Sequence, residues 1–255
     1  MSDLAVTHDG HVAILEIQRP PHNFFDVTLI RDIAEALEDI DRDANLRSVV
    51  LASQGRAFCA GANFSAPGSA SQNKEDGGQH LYLEALRIFS ARKPIIAAIQ
   101  GPAIGGGLGL ALAADFRITC QEARFAANFT RLGFHPGFGL TVTLPQLIGT
   151  NRAELLFYTS RRIDGKEAVE IGLANELVPQ EQVRARAVEL AREIAECSPL
   201  GVIATRATMR KGLAESVRKA TEHELHEQTR LKQTQDFAEG VRSTAERRAA
   251  NFVGK

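Results

Sequence analysis

Apolar positions recur along this chain at two spacings, and the change from one to the other predicts its elements. His11–Ile17 (HVAILEI) partly alternates, which predicts a strand. Asp26 precedes an apolar stripe of Val27, Ile30, Ile33, Ala34, Leu37 and Ile40 at helical spacing, so Asp26 is expected to cap a helix. Ser48–Ser53 (SVVLAS) and Pro94–Gln100 (PIIAAIQ) are short apolar runs of the kind that form buried strands. Leu81–Ala91 reads as a helix stopped by Pro94. Arg19–Asp26, with its paired prolines, reads as a loop, and the polar, Gly/Ser-rich Ser65–Gln79 is expected to be mobile.

The strand-then-helix order recurs further on. DFRITC and ARFAA are strand-like, RLGFHPGFG is a Gly/Pro loop, and more helix follows. Asn151 with Glu154, and Asp164 with Glu167, have capping-box spacing, and Gly172 is placed to close the second of these helices. From about Gln180 onward the pattern is almost wholly helical, divided by Pro199. Repeated strand and helix with a helical tail predicts an α/β fold, with residues 1–195 as the core and residues 196–255 as a helical C-terminal region.

Composition narrows the function classes. The 255 residues are 44% hydrophobic and 24% charged, with a formal net charge of -1, so no global attraction to nucleic acid or an anionic membrane is expected. Cys59, Cys120 and Cys197 are widely spaced and odd in number, which argues against a disulfide framework or a zinc site and for a reducing, cytoplasmic setting. No basic-then-apolar leader and no run of eighteen apolar residues is present, so neither a signal peptide nor a membrane span is expected. In HELHE, Glu227 occupies the slot of the second histidine of a zinc-binding H-E-x-x-H. No metal is therefore assigned, and His223 and Glu227 are expected on a solvated helix face.

The chemistry-bearing signal is glycine. GPAIGGGLGLALAADF (Gly101–Phe116) places three consecutive glycines before a Leu/Ala-rich helix former, although a helical glycine costs about 1 kcal/mol relative to alanine. The spacing fits neither G-x-G-x-x-G nor G-x-x-x-x-G-K-[ST]. One reading is tight packing of strand on helix. The other is a helix start whose bare N–H groups are open to a ligand oxygen, with Ala60-Gly61-Ala62-Asn63 as a second turn supplying a second donor.

Together these segments resemble the crotonase (enoyl-CoA hydratase/isomerase) superfamily over essentially the whole chain. GRAFCAGANF resembles its first oxyanion segment, which makes Ala62 the donor, and KPIIAAIQGPAIGGGLGLALAADFRI the second, which makes Gly106 the donor. RLGFHPGFGLTVTLPQLIG, RRIDGKEAVEIGLANELVP and DFAEGVRSTAERRAANFVGK match later segments, and RPPHNFFD resembles the loop bordering the coenzyme A site. The resemblance implies a spiral of ββα units, a C-terminal region that builds trimers or hexamers, and an acyl-CoA thioester polarised towards an enolate by two N–H groups. Coenzyme A would enter as part of the substrate, with no further cofactor.

The departures matter as much. Where hydratases of this family carry their two glutamates, this chain has Gly109 and Phe129, and where some relatives carry an aspartate it has Gly137. Gly and Phe transfer no proton. His135 is the expected substitute, the alternative being a loop histidine bonded to backbone. Asn23, Ala60, Asn63, Gly105, Asn128 and Phe129 are the expected substrate contacts, with His22 at most another. Glu75, Asp76, His80 and Glu84 could swing inward but are expected on a solvated face, Cys59 is expected to be small and buried, and Asp115 to make a structural hydrogen bond. Arg210, Lys211, Arg242, Arg247, Arg248 and Lys255 could meet the phosphates of coenzyme A. The function expected is an acyl-CoA enzyme of this family, the alternative a non-catalytic acyl-CoA-binding protein on the same fold.

Overall fold

The structure, a computed structural model, describes residues 3–63 and 80–255. The expectations for Ser65–Gln79, including Glu75 and Asp76, lie outside the described residues. The N-terminal hairpin is β1 (Leu4–Asp9) and β2 (Val12–Ile17), followed by α1 (Val27–Arg42) and β3 (Ser48–Ser53). Asp26 caps α1 as expected, its Oδ1 accepting from the Leu29 N–H at 2.9 Å, and the predicted stripe is buried together with Leu29. Next come α2 (Leu81–Phe89), β4 (Ile95–Ile99), β5 (Ala103–Ile104) and α3 (Gly106–Ala113).

β6 (Phe116–Thr119) and β7 (Arg124–Ala126) lead into α4 (Leu140–Ile148) and α5 (Thr150–Thr159). β8 (Ile163–Asp164), α6 (Gly165–Glu170) and β9 (Glu176–Leu177) follow, and α7 (Val183–Ala195), α8 (Pro199–Met209), α9 (Leu213–Leu231) and α10 (Gln235–Ala245) complete the chain. Of the two capping boxes, Asp164 is realised, accepting from the Glu167 N–H at 2.9 Å. Asn151 is not the cap it was expected to be, because α5 already starts at Thr150 with Gly149 (φ 80) as its cap.

Two sheets divide the work. The larger runs β1-β2-β3-β4-β6-β9, parallel except for the first hairpin, and the smaller runs β5-β7-β8. Each pass of the chain leaves a strand of the large sheet and enters the small one: β4 to β5, and β6 to β7. The segment after β3 does the same without forming a full strand, since Cys59 bridges Ala103 and Ala62 bridges Phe25. This is the ββα spiral. Because β3 and β4 are neighbours in the large sheet and the segments that follow them are neighbours in the small one, the two glycine-marked turns are delivered side by side.

The large sheet packs against α1 and α7, and Ser48–Ser53 and Ile95–Ile99 are buried throughout. Below α3, Asp115 ties the core to α8. Its Oδ2 accepts from the Ile95 N–H at 2.8 Å, and its carboxylate also receives Arg206 and Arg210. The structural role expected for Asp115 holds, and Arg210 is spent on it rather than on a phosphate.

Candidate active site

The three glycines at the start of α3 serve different ends. Gly105 has φ 56 and ψ -120, a conformation side chains exclude, and it turns the chain from β5 into the helix. A Cβ on Gly107 would stand 2.0 Å from the Cys59 carbonyl oxygen, and one on Gly106 would stand 2.4 Å from Cζ of Phe25. Packing of strand on helix is thus a real requirement at Gly107. Every residue of α3 is buried, so the helix runs through the core with its N-terminus facing a cavity.

That cavity is about 220 Å³ and is walled by both glycine turns, by Phe24, Phe25, Phe129 and Phe134, and by Tyr82 of α2. Backbone pairing locks the turns together: the Ile104 N–H donates to the Cys59 carbonyl at 3.0 Å, and the Cys59 N–H to the Pro102 carbonyl at 3.0 Å. A Cβ built on Gly61 would lie 2.8 Å from the Ile104 oxygen and 3.2 Å from the Gly106 nitrogen. Gly106 opens α3, so its N–H has no partner inside the helix. The Phe25 N–H donates to the Gly61 carbonyl, and in such a parallel bridge the N–H of Ala62 is directed away from Phe25.

Expected contacts divide sharply. Ala60, Ala62, Gly105, Gly106, Asn128 and Phe129 line the cavity. Asn63 and Asn23 are not among the lining residues. Asn23 is fully buried at φ 50 and its polar atoms are spent inside the protein: Nδ2 donates to the Gln54 and Ala57 carbonyls, both at 2.7 Å, and Oδ1 accepts from the Arg19 N–H at 3.0 Å. These bonds hold the loop that carries Phe24 and Phe25.

His135 is likewise outside the lining. Its Nδ1 donates to the Pro136 carbonyl at 2.8 Å, the kind of backbone bond the alternative reading expects, and its ring meets His223 edge-on at 5.8 Å. Burial pushes the Cys59 thiol up to about 12, which suits a packing residue and not a nucleophile.

Two residues expected on a solvated face are buried instead. Glu84 is ion-paired to Arg87 at 2.7 Å and to Arg31 at 3.6 Å, which neutralises it inside the fold. His80 caps α2, its Nδ1 accepting from the Tyr82 N–H at 3.2 Å. On the tail, Arg242 and Arg248 both pair with Glu239.

The expected carboxylate positions are occupied in other ways. The ring of Phe138 fills the space before Gly109, and Tyr82 Oη would lie 2.2 Å from a Cβ on Gly137. No Asp or Glu is among the described residues that line the cavity. Sequence reasoning missed the polar groups that are there. Tyr82 and Gln228 of α9 contact each other at 3.0 Å, and Val241, Thr244 and Ala245 of α10 close the same cavity. Burial raises the Tyr82 phenol well above its ordinary range, so it stays protonated and acts as a donor. Glu224 was missed too: although fully buried, it accepts from the Gly139 N–H at 2.8 Å and the Thr141 N–H at 3.0 Å, holding the start of α4. Both belong to a buried stripe, Val217, Thr221, Glu224 and Gln228, whose helical spacing was the available signal.

The sequence pattern of the Enoyl-CoA hydratase/isomerase family matches residues 7–255. The chain belongs to that family. Within the enoyl-CoA hydratase/isomerase family it is 33% identical to a probable enoyl-CoA hydratase of Bacillus subtilis, over 100% of both chains. It is also 33% identical to a crotonyl-CoA hydratase of Syntrophomonas wolfei, over 99% of this chain and 98% of that one. Its fold matches an enoyl-CoA hydratase/isomerase of Pseudoalteromonas atlantica with a TM-score of 0.89 at 28% identity, covering 99% of this chain and 100% of that chain. A carnitinyl-CoA hydratase of Mycobacterium avium gives the same TM-score and identity, covering 99% of each chain. These likenesses place this chain's fold in the crotonase superfamily. Among the described residues no helix is long and apolar enough to cross a membrane.

Proposed function

We propose that this protein is an acyl-CoA enzyme in which the N–H groups of Ala62 and Gly106 receive one thioester oxygen and stabilise an enolate-like state. The observation that carries this reading is the juxtaposition of the two turns at the cavity, with Gly61 packed against the start of α3. Two converging donors, one at a helix N-terminus, are the usual device for developing negative charge, and loss of one such donor costs about 3 kcal/mol of transition-state stabilisation in a well-studied hydrolase. Asn128 and Phe129 flank the same end of the cavity, Asn128 Oδ1 lying 3.1 Å from a Cβ built on Gly105. The relatives that act on crotonyl-CoA and carnitinyl-CoA support an acyl-CoA substrate.

The absence of a carboxylate among the described lining residues favours a second reading, an acyl-CoA-binding protein without proton transfer. Titration calorimetry with a CoA thioester and with the matching thioether, which lacks the carbonyl oxygen, tests the shared part of both readings. The thioester should bind at least tenfold more tightly. Equal binding overturns the two-donor site, and no binding of either overturns the acyl-CoA reading. Turnover of any member of a panel of enoyl-, dienoyl- and 3-oxoacyl-CoA esters then selects the enzyme over the binding protein.

The helical C-terminal region is proposed to join copies into a trimer, or a hexamer of two trimers. Helix α8 buries none of its residues in this chain and exposes Leu200 and Met209, 78% and 80% accessible, beside a groove walled by Phe116, Ile194 and Val202. Light scattering of wild type against Leu200→Glu/Met209→Glu checks it.

A further inference from the structure

Four polar side chains are among the described residues that line the cavity: Asn128, Tyr82, Gln228 and Thr244. Asn128 is beside Gly105, where the acyl-CoA reading puts the thioester. Tyr82 and Gln228 are beside Gly137, and Phe25 packs on Phe138 with ring centroids 5.6 Å apart. Tyr82 meets Phe138 edge-on, with ring centroids 6.2 Å apart.

In the Tyr82–Gln228 pair the phenol proton goes to a long internal hydrogen bond. Gln228 Nε2 lies 2.8 Å from the His135 carbonyl oxygen. A carbonyl can only accept, so this contact fixes which end of the amide is nitrogen. The second N–H of that nitrogen then donates to Tyr82 Oη at 3.0 Å. Tyr82 therefore accepts from Gln228. Its own proton has Gln228 Oε1 at 3.2 Å as an internal partner, longer than the 2.7–2.8 Å at which O–H···O bonds cluster and on the same amide that already donates to it. A ligand oxygen in the cavity offers a better acceptor. The phenol is held in place from behind by His80, which stacks edge-on at 5.0 Å and accepts from the Tyr82 N–H.

We propose that the Tyr82 hydroxyl, oriented by Gln228, is the specificity group of this cavity, and that it donates to an oxygen, hydroxyl or carbonyl, carried on the acyl chain beyond the thioester. The proposal rests on the acyl-CoA reading above and adds the substrate class: oxygen-bearing rather than plain hydrocarbon acyl groups. A plain alkyl chain would leave the buried phenol with its poor internal partner, and sites built to bond a ligand hydroxyl discriminate strongly against the analogue lacking it. Gln228 is a positioning residue in this arrangement.

The test compares binding of hexanoyl-CoA with 3-, 4- and 5-hydroxyhexanoyl-CoA by titration calorimetry. Wild type should bind at least one hydroxy ester tenfold or more tightly than hexanoyl-CoA. Tyr82→Phe, which keeps the ring and its packing, should bring that ratio to about one, and Gln228→Leu should lower it. A purely structural role for Tyr82 would weaken all esters alike and leave the ratio unchanged, which overturns the proposal. So does a wild type without preference for any hydroxy ester while hexanoyl-CoA binds. Failure of every CoA ester to bind overturns the acyl-CoA reading itself, and with it this one.

Discussion

The phenyl ring of Phe138 stands where a side chain on Gly109 would go: a Cβ on Gly109 would be 2.7 Å from the Phe138 Cβ and 2.8 Å from its Cγ. Phe138 takes this position with φ 63, in the left-handed region that bulky residues rarely adopt. The two residues are therefore expected to be coupled. Gly109→Ala should cost about 1–3 kcal/mol through overpacking. Combined with Phe138→Gly, which vacates the space and suits the backbone, the costs should fall short of additive by about 1 kcal/mol or more. Urea denaturation of the two single variants and the double variant measures this. Strict additivity would show that the ring does not determine what Gly109 can carry.

Asn23 offers a second test, of the loop that supports Phe24 and Phe25. Asn23→Ala leaves the Gln54 carbonyl and the Arg19 N–H without their side-chain partner, while the Ala57 carbonyl keeps Ser53 Oγ at 3.1 Å. A loss of about 2–4 kcal/mol is expected from these unmet groups and the φ of 50 that alanine tolerates poorly. Thermal denaturation checks the stability, and calorimetry with a CoA ester should show weaker binding in the same variant.

Asp115 faces more positive charge than it can balance alone. Arg206 and Arg210 both bond its carboxylate, and burial lowers the nearby Arg117 to about 10. Asp115→Asn removes the counter-charge while leaving the guanidinium groups in place, at an expected cost of about 3–5 kcal/mol. Chemical denaturation reads it out. A change within about 0.5 kcal/mol would mean that the cluster is solvated in solution.

Acid should loosen the C-terminal segment. The carboxylate of Glu239 is held well below its ordinary value by Arg248, by the Asn251 N–H and by Arg242. Its depressed value means that its contribution is complete above the ordinary glutamate value of 4.5 and is lost as pH falls below it. Hydrogen exchange at Asn251 should accelerate between pH 5 and pH 3 in wild type, beyond the intrinsic pH dependence. In Glu239→Gln the exchange should already be fast at neutral pH, with no such step.

What the sequence showed and hid follows from the range of the interactions. The stripe of α1 and the Asp26 cap are local, and both are legible in a single helix's spacing. The glycine turns are legible because bare backbone leaves a compositional mark. β1 was missed because, with Val6 46% exposed and only Leu4 buried, it has no alternation to read. Tyr82 and Gln228 meet across a sequence separation of 146, and Glu224 holds residues 83 and 85 positions away, so nothing near them in the chain announces a partner. Glu84 looked like surface because its neutralising arginines, one nearby and one on α1, are visible only once the helices pack.

Helix α10 packs so tightly on the turn at Thr130–Leu132 that a Cβ on Gly240 would lie 2.5 Å from the Leu132 carbonyl, and it supplies three residues of the cavity wall. In the order of synthesis, this wall is the last part of the site to be made. A nascent chain still short of Gln235 already holds both sheets and both glycine turns, yet its cavity stands open on one side. A chain cut before Gln235 would therefore keep the scaffold of both sheets and lose the enclosure that Val241, Thr244 and Ala245 provide.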